Sequence, residues 1–184
     1  ARLIADLLQT AGADRVLTMD LHTPQAQGFF KIPVDQLLGA GPICERLNHE
    51  DLSDWILVAA DIGEAKDIGH YANRLDLPFA IIDKRRFGDN ESPKAVNLIG
   101  DVKGKTCLIV DDEIASGGTL TEAAAFLKSH GATRVLAAAT HAIFSGTAAQ
   151  RIDDAFVEKV IVTDTIPLKA HQLNDKIEVL SVSK

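Results

Sequence analysis

The stretch TCLIVDDEIASGGTLTEAAAFLKSH, residues 106–130, decides the predicted fold. Its first five residues, 106–110, form an apolar run with β-branched side chains, which is typical of a strand buried on both faces. Asp111 and Asp112 follow where we expect that strand to end, and a run of small residues follows them. Apolar residues then recur at helical spacing up to a terminating Gly131. The stretch therefore predicts a strand, an acidic pair, a glycine loop and a helix.

This order of elements predicts a site for a phosphorylated ligand. Ligands of parallel α/β sheets bind at the carboxyl ends of the strands. Glycines let backbone N–H groups approach an anion closely, and the following helix directs its positive end to the same place. Carboxylates repel phosphate, so Asp111 and Asp112 are expected to face sugar hydroxyls, a divalent metal, or both. The alternative, in which the aspartates only end a strand and Ser116 or Thr119 only caps a helix, suits a single acidic residue better than this pair.

Strands and helices alternate along the rest of the chain. Strands are predicted at residues 15–19, 55–59, 79–83, 96–99, 134–140, 159–163 and 177–182. Further helices are predicted around Leu3 to Leu8 and at residues 37–47, 64–75 and 148–155. Residues 87–94, rich in polar residues with Gly and Pro, predict a mobile loop. The fold class is therefore α/β, with a doubly wound, mainly parallel sheet flanked by helices.

Composition excludes several classes of protein. The 184 residues suffice for one well-cored domain and a little more, and 46% hydrophobic with 24% charged residues is ordinary for a globular protein. A net charge of −7 argues against nucleic-acid binding, and no apolar run is long enough for a membrane span. Cys44 and Cys107 lack CxxC spacing, which predicts buried, reduced thiols of a cytoplasmic protein rather than metal ligands.

A second motif, DLHTPQAQGFFKIPVD at residues 20–35, joins Asp20 and His22 at a strand end. Two such side chains can converge on one metal or one phosphate, although Asp-x-His alone is more often structural. The glycine loop after Asp112 resembles the phosphoribosyl-pyrophosphate loop of the type I phosphoribosyltransferase fold. The run at 20–35 resembles the signature of the ribose-phosphate diphosphokinases.

That resemblance covers nearly the whole chain in family order. It continues through Lys84-Arg85-Arg86, through THAIFSG at residues 140–146 and through VTDTI at residues 162–166. The family's chains consist of two phosphoribosyltransferase-like halves and are roughly twice as long. The resemblance therefore implies that residues 1–33 end the first half, that residues 34–184 form most of the second, and that the chain is part of a longer protein.

The resemblance also implies a reaction and roles for individual residues. The reaction is transfer of the diphosphoryl group of ATP to the 1-hydroxyl of ribose 5-phosphate, giving phosphoribosyl pyrophosphate and AMP. Lys84 and Arg86 would be catalytic cations, Arg86 also touching the sugar phosphate, while His22 and Asp61 would hold Mg²⁺ on the ATP side. The ribose 5-phosphate would be bound by Asp111, Asp112, Ser116, Gly117, Gly118 and Thr119.

Several positions depart from the family pattern. Ala115 stands where a third acidic residue is usual, Lys31 where an acidic residue is frequent, and Glu64 where a glycine is common. Ala59-Ala60 replaces a usual Ser-Pro. Two other functions stay open. One is a phosphoribosyltransferase that joins a base to the sugar, which the glycine loop alone permits but the run at 20–35 and the cluster at 84–86 argue against. The other is a non-catalytic protein that regulates a synthetase. The resemblance implies a homo-oligomer, from dimer to hexamer, and we expect this fragment alone to be inactive.

Overall fold

The computed structural model describes residues 1–66, 68–85 and 94–183. The chain forms two compact units, Ala1–Gly39 and Ala40–Lys184. The units divide later than the predicted boundary at 33/34, because residues 34–37 pair with a strand of the first unit. The assignment of each segment to a half of a longer protein stays a prediction. Within the described residues, no helix has the length and apolar character needed to cross a membrane.

The first unit contains one α-helix and two short parallel strands. Its elements are α1 (Arg2–Thr10), β1 (Val16–Met19), a 3-10 helix (Pro24–Phe29) and β2 (Val34–Leu37). The sequence did not predict β2, since Pro33 has no N–H to donate to a sheet. Pro33 instead supplies its carbonyl, which accepts the Val16 N–H at 2.9 Å, so the strand can begin directly after it. The apolar side chains of α1 are largely exposed, and Ala5 is its buried residue.

The second unit is a sheet with helices on both faces. Its helices are α2 (Ala40–Leu47), α3 (Ile68–Leu75), α4 (Gly118–Ser129) and α5 (Ala148–Asp154), with 3-10 helices at Gly63–Lys66 and Ala170–Gln172. Its strands are β3 (Trp55–Ala59), β4 (Phe79–Arg85), β5 (Lys94–Ile99), β6 (Thr106–Ile114), β7 (Arg134–Ala142), β8 (Lys159–Thr163) and β9 (Ile177–Leu180).

The strand order is β5-β4-β3-β6-β7-β8-β9. The β4–β5 pair is antiparallel, and the other described pairs are parallel. The predicted class, a doubly wound and mainly parallel sheet, is thus confirmed. The predicted loop at 87–94 falls almost entirely outside the described residues, and β5 begins at Lys94 rather than at residue 96.

The central strand β6 carries the core on both of its faces, as predicted. Cys107 and Ile109 pack in the cluster that contains the buried side of α4 and α5. Leu108 and Val110 pack in the cluster that contains α2 and α3. All four side chains are at most 2% exposed. This burial fixes the register of β6 and so fixes where its carboxyl end emerges from the core.

Two helices begin later than predicted. Helix α2 starts at Ala40 rather than at residue 37, because Leu37 pairs with Met19 in the first unit. The helix predicted over 64–75 is a 3-10 helix followed by α3 from Ile68.

Both cysteines are free and buried. Burial raises the pKa of the Cys44 thiol to about 11, against a weaker opposing effect of Arg74. Burial also raises the pKa of the Cys107 thiol to about 12. Both thiols are therefore protonated near neutral pH, and neither is a candidate nucleophile or metal ligand.

The end of α5 is held by one lysine. The Lys176 ammonium donates to the carbonyls of Ile152, Asp153 and Ala155 at 3.3, 2.5 and 3.1 Å. The Ile152 carbonyl also accepts the Ala155 N–H at 3.3 Å. Carbonyls at the end of a helix lack intrahelical donors, and a cation there is also favoured by the helix dipole.

We expect Lys176→Met to lower the free energy of unfolding by about 1–2 kcal/mol, because it removes charge-assisted hydrogen bonds from a partly buried position. Urea denaturation followed by circular dichroism measures this change. Lys103→Met is the control, since Lys103 is exposed and its ammonium bonds to no described residue. Equal stability of the two variants would contradict the assignment.

Candidate functional site

The carboxyl end of β6 differs from the prediction, because the strand continues through the acidic residues to Ile114. It does so because β7 extends equally far, with Glu113 opposite His141 and Ile114 opposite Ala142. Ile114 is only 5% exposed, so its burial stabilises the extension. Asp111 and Asp112 therefore lie in the last residues of β6 rather than in a loop beyond the strand.

The regular alternation of side chains is interrupted in this acidic segment. Ile114 packs in the same cluster as Cys107 and Ile109, although strict alternation would place it on the other face. The neighbouring strand changes in the same way, since Ala139 and Ala142 both belong to that cluster. Both strands thus deviate together beside the acidic pair.

Asp111 and Asp112 are both half-buried. The Asp112 N–H donates to Asp111 Oδ1 at 2.9 Å, which orients the Asp111 carboxylate at the edge of the sheet. Carboxylate oxygens in such a position accept hydrogen bonds from hydroxyls and bind divalent cations.

The loop after β6 turns sharply at Gly117. This residue has φ 75°, a left-handed conformation that glycine adopts without steric cost. A Cβ atom at Gly117 would lie 3.5 Å from the Ala148 carbonyl oxygen and 3.7 Å from Ile152. The Thr121 N–H then donates to the Gly117 carbonyl at 3.0 Å and closes the first turn of α4. Gly117 is therefore the N-cap of α4 and also lies directly against α5.

The first turn of α4 presents backbone donors at the sheet edge. N–H groups in a first turn have no intrahelical acceptor, and the helix dipole adds positive potential there. No side chain of a described residue caps α4, and the Gly118 N–H has only a long contact of 3.4 Å to Ser116 Oγ. Ser116 and Thr119 are exposed. This geometry disfavours the alternative in which these two residues only cap the helix.

The segment after β7 holds the loop by backbone hydrogen bonds. The Phe144 N–H donates to the Ile114 carbonyl at 3.1 Å, and the Ser145 N–H donates to the Ala115 carbonyl at 2.9 Å. Phe144 is 2% exposed and has φ 43°, which is rare for a bulky residue and costs conformational energy. The Gln172 side chain donates to the Phe144 carbonyl at 2.9 Å. Sequence reasoning noted THAIFSG only as part of a resemblance and assigned it no role.

The other candidate residues of this unit lie at ends of strands parallel to β6. Asp61 follows β3, and a Cβ at Gly63 would lie 3.0 Å from Asp61 Oδ1, so the carboxylate packs directly over that glycine. Lys84 lies near the end of β4, where the pairing with β5 shifts register between Asp83 and Lys84. Such irregularities re-aim side chains and are frequent beside active sites. The structure thus brings Asp61 and Lys84 to the same edge of the sheet as Asp111 and Asp112.

Three candidate positions have a different status. Arg86 lies outside the described residues, as does the side chain of Glu64. His22 belongs to the first unit, where it is exposed in the segment after β1. The preceding Asp20 has φ 38°, and its Oδ2 accepts the Gly39 N–H at 2.8 Å.

The described residues contain no group of three His, Cys, Asp or Glu side chains that could hold a metal ion alone. Mg²⁺ bound with a nucleotide needs only one or two carboxylates, because water and phosphate oxygens complete its octahedron. The half-buried carboxylate of Asp61 fits that chemistry.

The sheet, the acidic strand end and the glycine loop before α4 together define an α/β protein of the type I phosphoribosyltransferase-like class. A family model described as the phosphoribosyl synthetase-associated domain matches residues 86–184, which is more than half of the chain. The chain belongs to this family.

Relatives with known names agree with that assignment. The ribose-phosphate pyrophosphokinase of Caldanaerobacter subterraneus subsp. tengcongensis is 48% identical over 185 residues, covering 100% of this chain and 58% of the relative. The protein of the same name from Nitrosomonas europaea is 47% identical over 169 residues, covering 92% and 53%. The chain thus spans somewhat more than half the length of these relatives, and the resemblance to ribose-phosphate diphosphokinases is confirmed.

Solved structures agree with the fold. A crystal structure of phosphoribosylpyrophosphate synthetase from Mycobacterium smegmatis matches with a TM-score of 0.90 and 39% identity, over 98% of this chain and 59% of that one. A purine phosphoribosyltransferase from Pyrococcus horikoshii Ot3 matches with a TM-score of 0.50 and 20% identity, over 94% of this chain and 90% of that one. The second likeness concerns the fold alone.

Proposed function

We propose that this chain is part of an enzyme that transfers the diphosphoryl group of ATP to the 1-hydroxyl of ribose 5-phosphate, giving phosphoribosyl pyrophosphate and AMP. One observation carries the choice of reaction: 48% identity, along 100% of the chain, to a protein named ribose-phosphate pyrophosphokinase. The geometry at the carboxyl end of β6 supports the sugar-phosphate half of this proposal independently.

The 5-phosphate of the sugar binds at the start of α4. Backbone N–H groups of residues 116–119 donate to phosphate oxygens, and the exposed hydroxyls of Ser116 and Thr119 add side-chain donors. The carboxylates of Asp111 and Asp112 accept hydrogen bonds from the ribose hydroxyls. Because the carboxylates bind the ribose and the loop binds the phosphate, acidic residues can lie beside an anion site.

Cations at the end of β4 act on the transferred group. In the proposal, the Lys84 ammonium and the Arg86 guanidinium stabilise negative charge that develops on the diphosphoryl group and its leaving oxygen. Asp61 would hold Mg²⁺ on the ATP side, where the ion would neutralise charge of the ATP phosphates. For His22, in the first unit, the metal role stays the one that the resemblance implies. The register shift between Asp83 and Lys84 supports this role, because such irregularities are frequent beside active sites.

In the proposed longer protein, residues 1–33 form the end of the first phosphoribosyltransferase-like half. Residues 34–184 form most of the second half. We propose that the longer protein is a cytoplasmic homo-oligomer, at least a dimer. The 184-residue chain alone binds the sugar phosphate but turns over little or no substrate, because the rest of the relatives' length is missing.

An assay of AMP release from ATP and ribose 5-phosphate tests the reaction. We expect the longer protein to release AMP only when both substrates and Mg²⁺ are present, and we expect the 184-residue chain to release none while still binding ribose 5-phosphate in calorimetry. Lys84→Ala in the longer protein should lower kcat by about 100-fold or more, since it removes a cation from the transferred group. Pyrophosphate release that depends on an added purine or pyrimidine base would show a phosphoribosyltransferase instead.

A regulatory protein is the second candidate, because the matching family is described as associated with a synthetase. Such a protein would alter the rate of an active ribose-phosphate pyrophosphokinase without activity of its own. Mixing the longer protein with that enzyme distinguishes the candidates, since AMP release by the longer protein alone would exclude a purely regulatory role.

A further inference from the structure

We propose that Arg151 is a further binding residue for the sugar phosphate, supplying the full positive charge that the loop itself lacks; this rests on the function proposed above. The segment 111–119 contains three acidic residues and no basic one. The helix dipole offers only about half an elementary charge at its positive end. A phosphate dianion at this loop therefore needs a cation from elsewhere in the fold.

Arg151 is the described residue whose guanidinium contacts the loop directly. Its Nη1 donates to the Ser116 carbonyl at 3.2 Å, and the same atom lies 3.9 Å from the position of a Cβ added at Gly118. One hydrogen bond uses one of the five N–H donors that a guanidinium carries. The side chain is exposed, so it is accessible to a ligand that arrives from solvent.

The charge of Arg151 is not cancelled by a described acidic side chain. Arg2, Arg15, Arg46 and Arg134 each form an ion pair with a carboxylate. Arg151 forms none with any residue that the structure describes, although Asp154 lies on the same helix and accepts instead from Gln150. An arginine held beside an anion site without a carboxylate partner retains its charge for the anion.

The helix that carries Arg151 is fixed against the loop. Ala148 and Ile152 are fully buried, and both lie next to Gly117. Lys176 ties down the end of the same helix. Packing therefore fixes the backbone of α5 relative to the first turn of α4, and the hydrogen bond to the Ser116 carbonyl places the Arg151 guanidinium there.

Calorimetric titration of the 184-residue chain with ribose 5-phosphate, and separately with inorganic phosphate, tests this role. We expect Arg151→Gln to weaken both ligands about 10-fold, and Arg151→Lys to weaken them less than about 3-fold because the charge is kept. Arg134→Gln is the matched control, since it removes the same charge from an exposed arginine at the amino end of β7. We expect no change in its affinity.

The salt dependence of affinity distinguishes an effect of the lost charge from an effect of a changed loop conformation. We expect the affinity of Arg151→Gln to fall less steeply with added salt than that of the unchanged chain, because one screened charge is gone. Equal affinities and equal salt dependence in both proteins would overturn the role of Arg151. A 10-fold loss in Arg151→Lys with an unchanged salt dependence would also overturn it, since the loss would then reflect shape. Failure of the unchanged chain to bind ribose 5-phosphate would instead refute the proposed function.

Discussion

Gly117→Val is expected to abolish binding of ribose 5-phosphate to the chain, with a loss of at least about 100-fold in affinity. Two effects act together. A β-branched residue is strained at φ 75°, and its side chain would enter the contact with Ala148 and Ile152. Relief of that strain moves the first N–H groups of α4, and loss of two charge-assisted hydrogen bonds amounts to about 3–6 kcal/mol. Calorimetry with ribose 5-phosphate measures the change.

Gly104→Val is the matched control for this experiment. Gly104 has φ 72°, and a Cβ added there would have no atom within 4 Å. It lies in the turn before β6, at the end of the strand opposite the glycine loop. Both variants should lose about 2 kcal/mol of stability from the backbone conformation. Only Gly117→Val should lose affinity. Equal affinity of the two variants for the sugar phosphate would show that the loop is not the phosphate site.

The double variant Asp111→Asn with Asp112→Asn is expected to change the affinity for ribose 5-phosphate and the affinity for inorganic phosphate differently. Neutral amides accept weaker hydrogen bonds from ribose hydroxyls than carboxylates do, so the affinity for ribose 5-phosphate should fall by about 30-fold. Removing two negative charges from the edge of the phosphate site should leave the affinity for inorganic phosphate unchanged or raise it a few-fold. Parallel titrations with the two ligands measure these opposite responses.

The control for the double variant removes the same charge elsewhere. Glu122→Gln lies on the exposed side of α4, and Asp101→Asn lies before β6 at the far end of the strand. We expect this pair of changes to leave both affinities unchanged. A parallel fall in sugar-phosphate and phosphate affinity in the Asp111 and Asp112 variant would mean that these residues support the loop rather than the ribose.

Much of the fold could be predicted because its signals are local. Strands β3 and β8 have the predicted bounds, since each is a run of apolar residues between polar ones. The start of α4 at the glycine loop follows from an equally local pattern of strand, glycine and apolar helix. Fully buried strands of this kind depend little on which strand lies beside them, so composition alone suffices.

The ends of β6 and β7 could not be predicted, because they depend on each other. Residues 111–113 are acidic and would end an isolated strand, yet β7 pairs with them and allows Ile114 to be buried. A strand's partner is set by the topology of the sheet, which the local sequence does not show. Strand β2 was not predicted because Pro33 cannot donate to a sheet, and its pairing with β1 across a long segment is not visible in the local sequence either.

Parts of the candidate site arise from contacts between distant residues. The contact from Arg151 to Ser116 spans 35 residues. The backbone hydrogen bonds donated by Phe144 and Ser145 join the segment after β7 to the end of β6. No spacing in the sequence signals these contacts. The residues that the sequence did indicate lie next to strand ends or glycines, where motif patterns are short. Their roles in binding and catalysis remain predictions.

A crystal structure of the chain soaked with ribose 5-phosphate tests the central claim most directly. The account predicts the phosphate within hydrogen-bond distance of the backbone N–H groups of residues 116–119 and beside Arg151, with ribose hydroxyls facing Asp111 and Asp112. Ribose 5-phosphate bound at another place, with no ligand at the start of α4, would contradict it.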